Sequence, residues 1–299
     1  MSAGLFKIVV CVRWVPDFYQ NPPELDTIKG QLKEESLHYI VNDYDLLALE
    51  EAIRIREALS SPCEVTVISF GPEPLKETLR VCLAMGADRA IHVHQNGAKE
   101  WEGLAVAAIL AKAIEPLACD LILCGQHSLE GMHGMVGAGV AHFLHLPVIM
   151  GIIKLEVSLV RRRIRATQKL EKGARWVWEC PLPAVCTVEK GMNVPRYIPI
   201  HRLLLHRRRP VADVNIEEQA KIIEEVASRY GRRDLQKIAY PRIRPKKTAA
   251  PTVSLSPAER LKFLKSGGSQ EEKKGDRLRG NPSSISQQVV QFLADKGFI

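Results

Sequence analysis

Short β-branched apolar runs alternate with stretches of helical periodicity through the first half of the chain. "FKIVVCVRWV" (6–15), "EVTVISFG" (64–71), "RAIHVH" (89–94) and "DLILCG" (120–125) are the apolar runs, and each predicts a buried strand. Between them, "DYDLLALEEAIRIREAL" (43–59) carries Leu46, Leu49, Ile53 and Leu59 at helical spacing, with Glu50 four residues before Arg54. "EPLKETLRVCLAMG" (73–86) predicts a helix stopped by Gly86, and "WEGLAVAAILAKAIEPL" (101–117) another. A further helix should follow "CGQHSLEGMHGMVG" and run to about His145. Strands separated by single helices need crossover connections, so the expected core is a doubly wound, mostly parallel α/β sheet.

The pattern changes at Pro147. "PVIMGIIKLEVS" and "LVRRRIRATQKLE" predict a hairpin, the second strand alternating apolar and basic positions. "RWVWECPLPAVCTVE" (175–189) predicts a third strand, with Pro181 and Pro183 at an irregular end or edge. These strands should lie beside the parallel core or form its antiparallel margin. After Pro210 a polar helix (about 215–229), a Pro/Lys/Arg-rich linker and a short amphipathic helix are expected. "SSISQQVVQFLADKGFI" then predicts a terminal docking helix. Residues 1–210 are therefore expected to form one nucleotide-binding type of domain and 211–299 a basic helical extension.

Charge supports that division. Residues 1–200 hold 21 Lys and Arg against 23 Asp and Glu, a net −2, while 201–299 hold 21 against 11, a net +10. A basic tail suits an anionic surface or an arm on a partner subunit. Without interleaved aromatics or a groove-reading module, no nucleic-acid partner is expected. The seven cysteines, Cys11, Cys63, Cys82, Cys119, Cys124, Cys180 and Cys186, form no C-x-x-C pair and sit mostly in apolar runs. That predicts buried free thiols in a reducing compartment. No apolar run has the length of a membrane span and the start has no signal-like n-region, so a cytoplasmic protein without a transmembrane segment is expected.

Ligands of open parallel sheets sit at the carboxyl ends of the strands. Two loops lie there. The first holds Gly125, Gly131, Gly134 and Gly137. It is neither G-x-G-x-x-G nor a Walker loop, so spacing leaves a phosphate cradle and a packing turn equally open. The second precedes the helix at 43, where Asn42 or Asp43 is a natural cap. His142 and His145 share a helix face, but no carboxylate stands at matching spacing and no metal site is expected there. Ser128 lacks a nucleophile elbow, and no catalytic constellation stands out.

"KIVVCVRWVPD", "VNDYDLLALEEAIRIRE", "VISFGPEPLKETLRVCLAMGADRAIHV", "LILCGQHSLEGMHGMVGAGVAHFLHLP" and "PLPAVCTVEKGMNVPRYIPIHRLL" follow one another in order over about residues 5–210. Together they resemble the β subunit of electron-transfer flavoprotein, the family that includes FixA-type proteins. The resemblance implies a non-enzymatic subunit of a heterodimer whose α subunit carries most of the FAD site. It also implies AMP, or a second FAD, in the β chain. The corresponding pocket positions are Cys11, Asn42, Asp43, Tyr44, Asp45, Phe70 and the loop Gly125, Gln126, His127, Ser128, Leu129, Glu130, Gly131, Met132, His133, Gly134, Met135 and Val136. Glu130, Met132 and Met135 stand where the family's loop commonly carries Asp, Asp and Gln. Phosphate binding by main chain should survive those changes, and adenine or ribose recognition should weaken. Lys172 and Trp176 stand where acidic groups are expected in a second family signature.

The family's partner-recognition loop falls at "NVPRYIPIHRLL", with Ile200 as apolar anchor ringed by Arg196, His201 and Arg202. The implied function is electron shuttling from acyl-CoA dehydrogenase-type donors to a quinone-linked or iron–sulfur acceptor, with the flavin doing the redox chemistry. The alternative is a nucleotide-binding regulatory or structural module that has lost electron transfer.

Overall fold

The computed structural model describes residues 4–214, apart from 18, 23, 27–29, 95–99, 102 and 130–131. Beyond these it describes residues 280–295, which hold the helix Pro282–Asp295, and a few isolated positions between. The chain divides into two compact units, 1–240 and 241–299. The first contains the sheet.

Its parallel core is built from β1 (Phe6–Cys11), β2 (Cys63–Gly71), β3 (Arg89–His94) and β4 (Leu121–Gly125). These are connected by α1 (Asp43–Ala58), α2 (Leu75–Met85) and α3 (Gly103–Ile114). After β4 come α4 (Met135–Phe143), β5 (Val148–Ser158), β6 (Arg163–Lys169), β7 (Arg175–Pro181) and β8 (Ala184–Val188). The spatial order is β7-β6-β5-β8-β4-β1-β2-β3, and a short strand β9 (Ala212–Asp213) pairs in parallel with the outer edge of β3. The β5–β6 and β6–β7 pairings are antiparallel and all others in this sheet are parallel. The hairpin thus forms the antiparallel margin of the core sheet.

Alternation along each strand produces two cores. Ile8, Val10, Val65, Val67, Leu121, Leu123 and Cys186 face α1 and α2, where Leu49, Ile53, Leu79 and Leu83 close the layer. Val9, Cys11, Ile68, Ile91, Ile122 and Cys124 face the opposite way, against Ala107, Leu110, Ile114 and Val140 of α3 and α4. Both faces must be covered, which is why the central strands read as continuous apolar runs. Each buried Leu or Ile is worth about 1.5–3 kcal/mol of transfer free energy.

Three sequence expectations change. The run 175–189 is two strands, not one: Pro181 and Pro183 flank the break, and β7 and β8 occupy different places in the sheet. A proline offers no N–H to a ladder, so the chain leaves one pairing there and enters another. The first apolar run ends as a core strand at Cys11, and Trp14–Pro16 pairs instead with Tyr39–Val41. The chain past Pro210 also contributes to the sheet, through β9. The helix expected at about 215–229 and the linker after it lie outside the described residues, except Arg229. In the second unit, Pro282–Asp295 is helical, close to the expected terminal helix.

Gly86 ends α2 with φ 143°, its N–H bonded to the Cys82 carbonyl, a conformation that L-residues rarely adopt.

Candidate functional site

The connection after β1 leads to α1 on one face of the sheet, and the connection after β4 leads to α4 on the other. A crevice opens where such adjacent connections diverge, at the carboxyl ends of β1 and β4. The predicted pocket residues gather there because the parallel register sets Cys11 beside Cys124, one residue before Gly125.

Asp45 joins the two strand ends. It is 6 % exposed; its Oδ2 accepts the Arg13 N–H at 2.8 Å and its Oδ1 the Gly125 N–H at 2.9 Å. Burial pushes its carboxyl up to about 7, against the opposing pull of those hydrogen bonds. Gly125 is small by necessity, since a Cβ there would lie 2.7 Å from Tyr44 Cβ and would run into Asp45 Oδ1. Gly137 faces Thr187 Cγ2 in the same way, and a Cβ on Gly139 would lie 2.6 Å from Ala107 Cβ. These three glycines serve close packing of strand and helix.

Asn42 occupies the N-cap position of α1 but makes no side-chain cap bond. Its amide reaches across the crevice instead. Nδ2 donates to the His127 carbonyl at 2.9 Å, and Oδ1 accepts the Leu129 N–H at 3.1 Å. A side chain expected to cap its own helix thus holds the loop after β4, and it is 2 % exposed. Neighbouring Asp43 is half-buried and Tyr44 buried, the Tyr44 ring lying edge-on to His127 at 5.6 Å with Lys190 Nζ 5.0 Å above it.

Gln126 anchors the far side. Its N–H donates to the Val188 carbonyl, and its Oε1 accepts bonds from the Thr187 hydroxyl and, at 2.8 Å, the Gly151 N–H. Gly151 can turn toward Gln126 because it sits at φ 64° in an irregularity of β5, which frees its N–H from the ladder. Neither Thr187 nor Gly151 was singled out as a pocket residue by sequence, since their role depends on register between strands.

Between these anchors, His127 Nδ1 and Ser128 Oγ are buried with no hydrogen-bond partner among the described residues. Buried polar atoms in a folded protein are almost always paired, so two neighbouring orphans mark a place for a polar ligand or water. His127 Nε2 lies 3.9 Å from Glu189 Oε2. Met132, at φ 54°, closes a turn onto the Ser128 carbonyl; Met132, His133 and Met135 are exposed, and Val136 packs into the second core. Gly134 precedes α4, whose first turn carries no side-chain cap. Glu130 and Gly131 lie outside the described residues.

Two predicted pocket positions are core. Cys11 is 5 % exposed, and its thiol is pushed well up by a hydrogen bond with Cys124 and by burial. Phe70 packs at the margin of the second core.

In the predicted partner loop, Ile200 starts the helix Ile200–His206 and is 70 % exposed. His201 is exposed and Arg202 half-buried, with Val194, Tyr197, Leu204 and Leu205 also exposed nearby in sequence. Arg196 is engaged within the fold. Its guanidinium bonds Glu57 at 2.7 and 3.0 Å and Glu50 at 2.9 and 3.2 Å, and its N–H also meets Glu50. Both partners raise the Arg196 pKa, Glu57 most. Arg54 completes the pairing of Glu50, as its i,i+4 spacing predicts. The predicted partner loop is therefore strapped to α1.

A doubly wound parallel sheet with a polar crevice at its switch point is the architecture of nucleotide-binding α/β domains. Residues 29–228, two thirds of the chain, match the family described as "Electron transfer flavoprotein domain". The chain belongs to the electron transfer flavoprotein family. It is 36% identical over 191 residues to the electron transfer flavoprotein subunit beta of Thermoanaerobacterium thermosaccharolyticum, covering 64% of this chain and 71% of that one. It is 31% identical over 227 residues to the probable electron transfer flavoprotein subunit beta of Saccharomyces cerevisiae, covering 73% and 86%. The CarD subunit of the caffeyl-CoA reductase–Etf complex of Acetobacterium woodii is 32% identical over 215 residues, covering 71% and 79%. Among the described residues no helix is long and apolar enough to cross a membrane.

Proposed function

We propose that this chain is the β subunit of a heterodimeric flavin electron carrier, paired with an α subunit that holds most of the FAD. The observation that carries the reading is the pair of orphan atoms, His127 Nδ1 and Ser128 Oγ, at the switch point of a sheet in this family. They fit an adenine nucleotide, AMP or the AMP half of a second FAD. Ser128 Oγ and the main-chain amides leading into α4 would face phosphate oxygens, and His127 Nδ1 would meet a polar atom of the nucleotide. The flavin supplies the electron transfer when bound. This chain does no acid–base chemistry; it grips the nucleotide, and Asn42, Asp45 and Gln126 keep the loop in shape.

Exposed apolar surface supports the partner roles. Trp176 and Trp178, two residues apart on the edge strand β7 and therefore on one face, are each at least 44 % exposed, a face suited to a permanent partner chain. Ile200, Leu204 and Leu205 suit transient docking of an acyl-CoA dehydrogenase-type donor, with a quinone-linked or iron–sulfur protein as acceptor.

Co-expression with an α-type chain tests this. A yellow heterodimer should form, and nucleotide released from it should include AMP or excess FAD. Ser128→Ala should reduce that nucleotide without unfolding the chain, because its hydroxyl has no partner among the described residues. A colourless complex with no extractable flavin would sink the reading, and tight ATP preference without flavin would favour a regulatory module.

A further inference from the structure

The outer edge of the sheet gathers a second polar cluster, away from the crevice. β3 carries His92 and His94, two residues apart and therefore on one face of the strand. Glu73 lies just before α2. Asp213 of β9 stands in register beside His92. One ligating atom each from Glu73, His92 and His94 lies within 4.8 Å of the others. His94 Nδ1 is 3.6 Å from Glu73 Oε2, and His92 Nδ1 is 3.1 Å from Asp213 Oδ1.

The orientation of His92 is the informative feature. Its Nε2 lies 2.9 Å from the Gly71 carbonyl, an acceptor, so the N–H on Nε2 donates there. Nδ1 then faces Asp213 Oδ1 at 3.1 Å, a contact that a proton on Nδ1 closes as a hydrogen bond and that a metal ion taking the proton's place would close as ligation. A ring that donates one N–H to a backbone carbonyl and presents its other nitrogen to a carboxylate-lined space is the arrangement of a metal-ligating histidine. His92 is fully buried and held by its neighbours, while Glu73 and Asp213 are more than half exposed, leaving an entry path.

A cation already occupies the middle of the cluster. Lys76 Nζ bonds Glu73 Oε1 and Asp213 Oδ2, each at 2.8 Å, with the Lys76 side chain 17 % exposed. One unit charge there faces two carboxylates.

We propose that Glu73, His92, His94 and Asp213 form a site for a divalent transition-metal ion, with Lys76 as the competing internal cation. Two imidazoles and two carboxylates are a donor set suited to Zn²⁺. A dication would balance both carboxylates and release Lys76, which lies close enough to the surface to turn toward water. Ligand atoms around tetrahedral zinc lie about 3.4 Å apart, so Glu73, His92 and His94 need to close by up to about 1.4 Å, and Asp213, which lies outside that group of three, has to move in further. The bound ion would pin β9, and with it the start of the basic extension, to the sheet edge.

The test is titration of the full-length chain with Zn²⁺ by calorimetry, and with Co²⁺ by absorption, which separates nitrogen and oxygen ligands from thiolates. One ion should bind without thiolate bands. His94→Gln and Asp213→Asn should each weaken binding at least tenfold. Lys76→Met keeps every ligand and removes the competitor, so it should tighten binding about tenfold. Absence of binding, thiolate bands, indifference to His94→Gln or Asp213→Asn, or weaker binding by Lys76→Met would each overturn the assignment.

Discussion

Replacing Asp45 by Asn tests the account of the crevice most directly. Asp45 is buried, and its carboxyl titrates at about 7 in the folded chain against 3.8 for an unperturbed Asp. The folded state therefore prefers the protonated form. Its contribution is fully favourable below the unfolded pKa, erodes as pH rises above about 4, and has been lost once pH passes the folded value. One pKa unit is worth about 1.4 kcal/mol, so the whole difference corresponds to about 4 kcal/mol, of which about 2–3 kcal/mol falls between pH 5 and pH 8. Asn does not titrate. It also places an N–H₂ against either the Arg13 or the Gly125 N–H, a penalty that is the same at both pH values. Urea denaturation of both proteins at pH 5 and pH 8 separates the two effects. The stability difference between them should shift by about 2–3 kcal/mol in favour of the variant on going to pH 8. A difference that does not change with pH would show that Asp45 is ionised throughout, its hydrogen bonds from Arg13 and Gly125 outweighing burial.

Arg196→Met should destabilise by about 3 kcal/mol in urea melts, because it strips a partner from Glu50, whose side chain is only 3 % exposed; a loss below 1 kcal/mol would mean that Arg54 alone suffices. Gly137→Ala should cost about 1–3 kcal/mol through collision with Thr187 Cγ2, while Gly173→Ala, with nothing within 4 Å, should leave packing untouched and reveal only the strain of its φ of 81°. Thr187→Val deletes the hydroxyl shared by Gln126 and Gly151, and should lower nucleotide retention of the heterodimer more than Phe70→Leu, which alters only the core margin; equal retention in both would count against the role given to Gln126. Ile200→Asp should leave the melting curve unchanged, since Ile200 is 70 % exposed, and should slow electron uptake from a donor dehydrogenase.

Periodicity alone determined the alternating parallel core, its helices and the hairpin that follows them, because burial on both faces of a strand writes itself as a continuous apolar run and a one-sided helix as a stripe. The same local signals placed the stop at Gly86 and the pairing of Glu50 with Arg54. What they could not specify was whom a polar side chain meets across the sheet. Asn42 read as a cap because its partners, His127 and Leu129, stand more than eighty residues away. Arg196 read as a rim charge because Glu50 and Glu57 come to it only when the loop lies along α1. His92 and His94 carried a recognisable strand alternation, yet Asp213 joins them only through the register of β9. Local patterning reflects burial, which each element feels individually, whereas hydrogen bonds and ion pairs between distant segments depend on strand order and register, and those exist only in the assembled sheet.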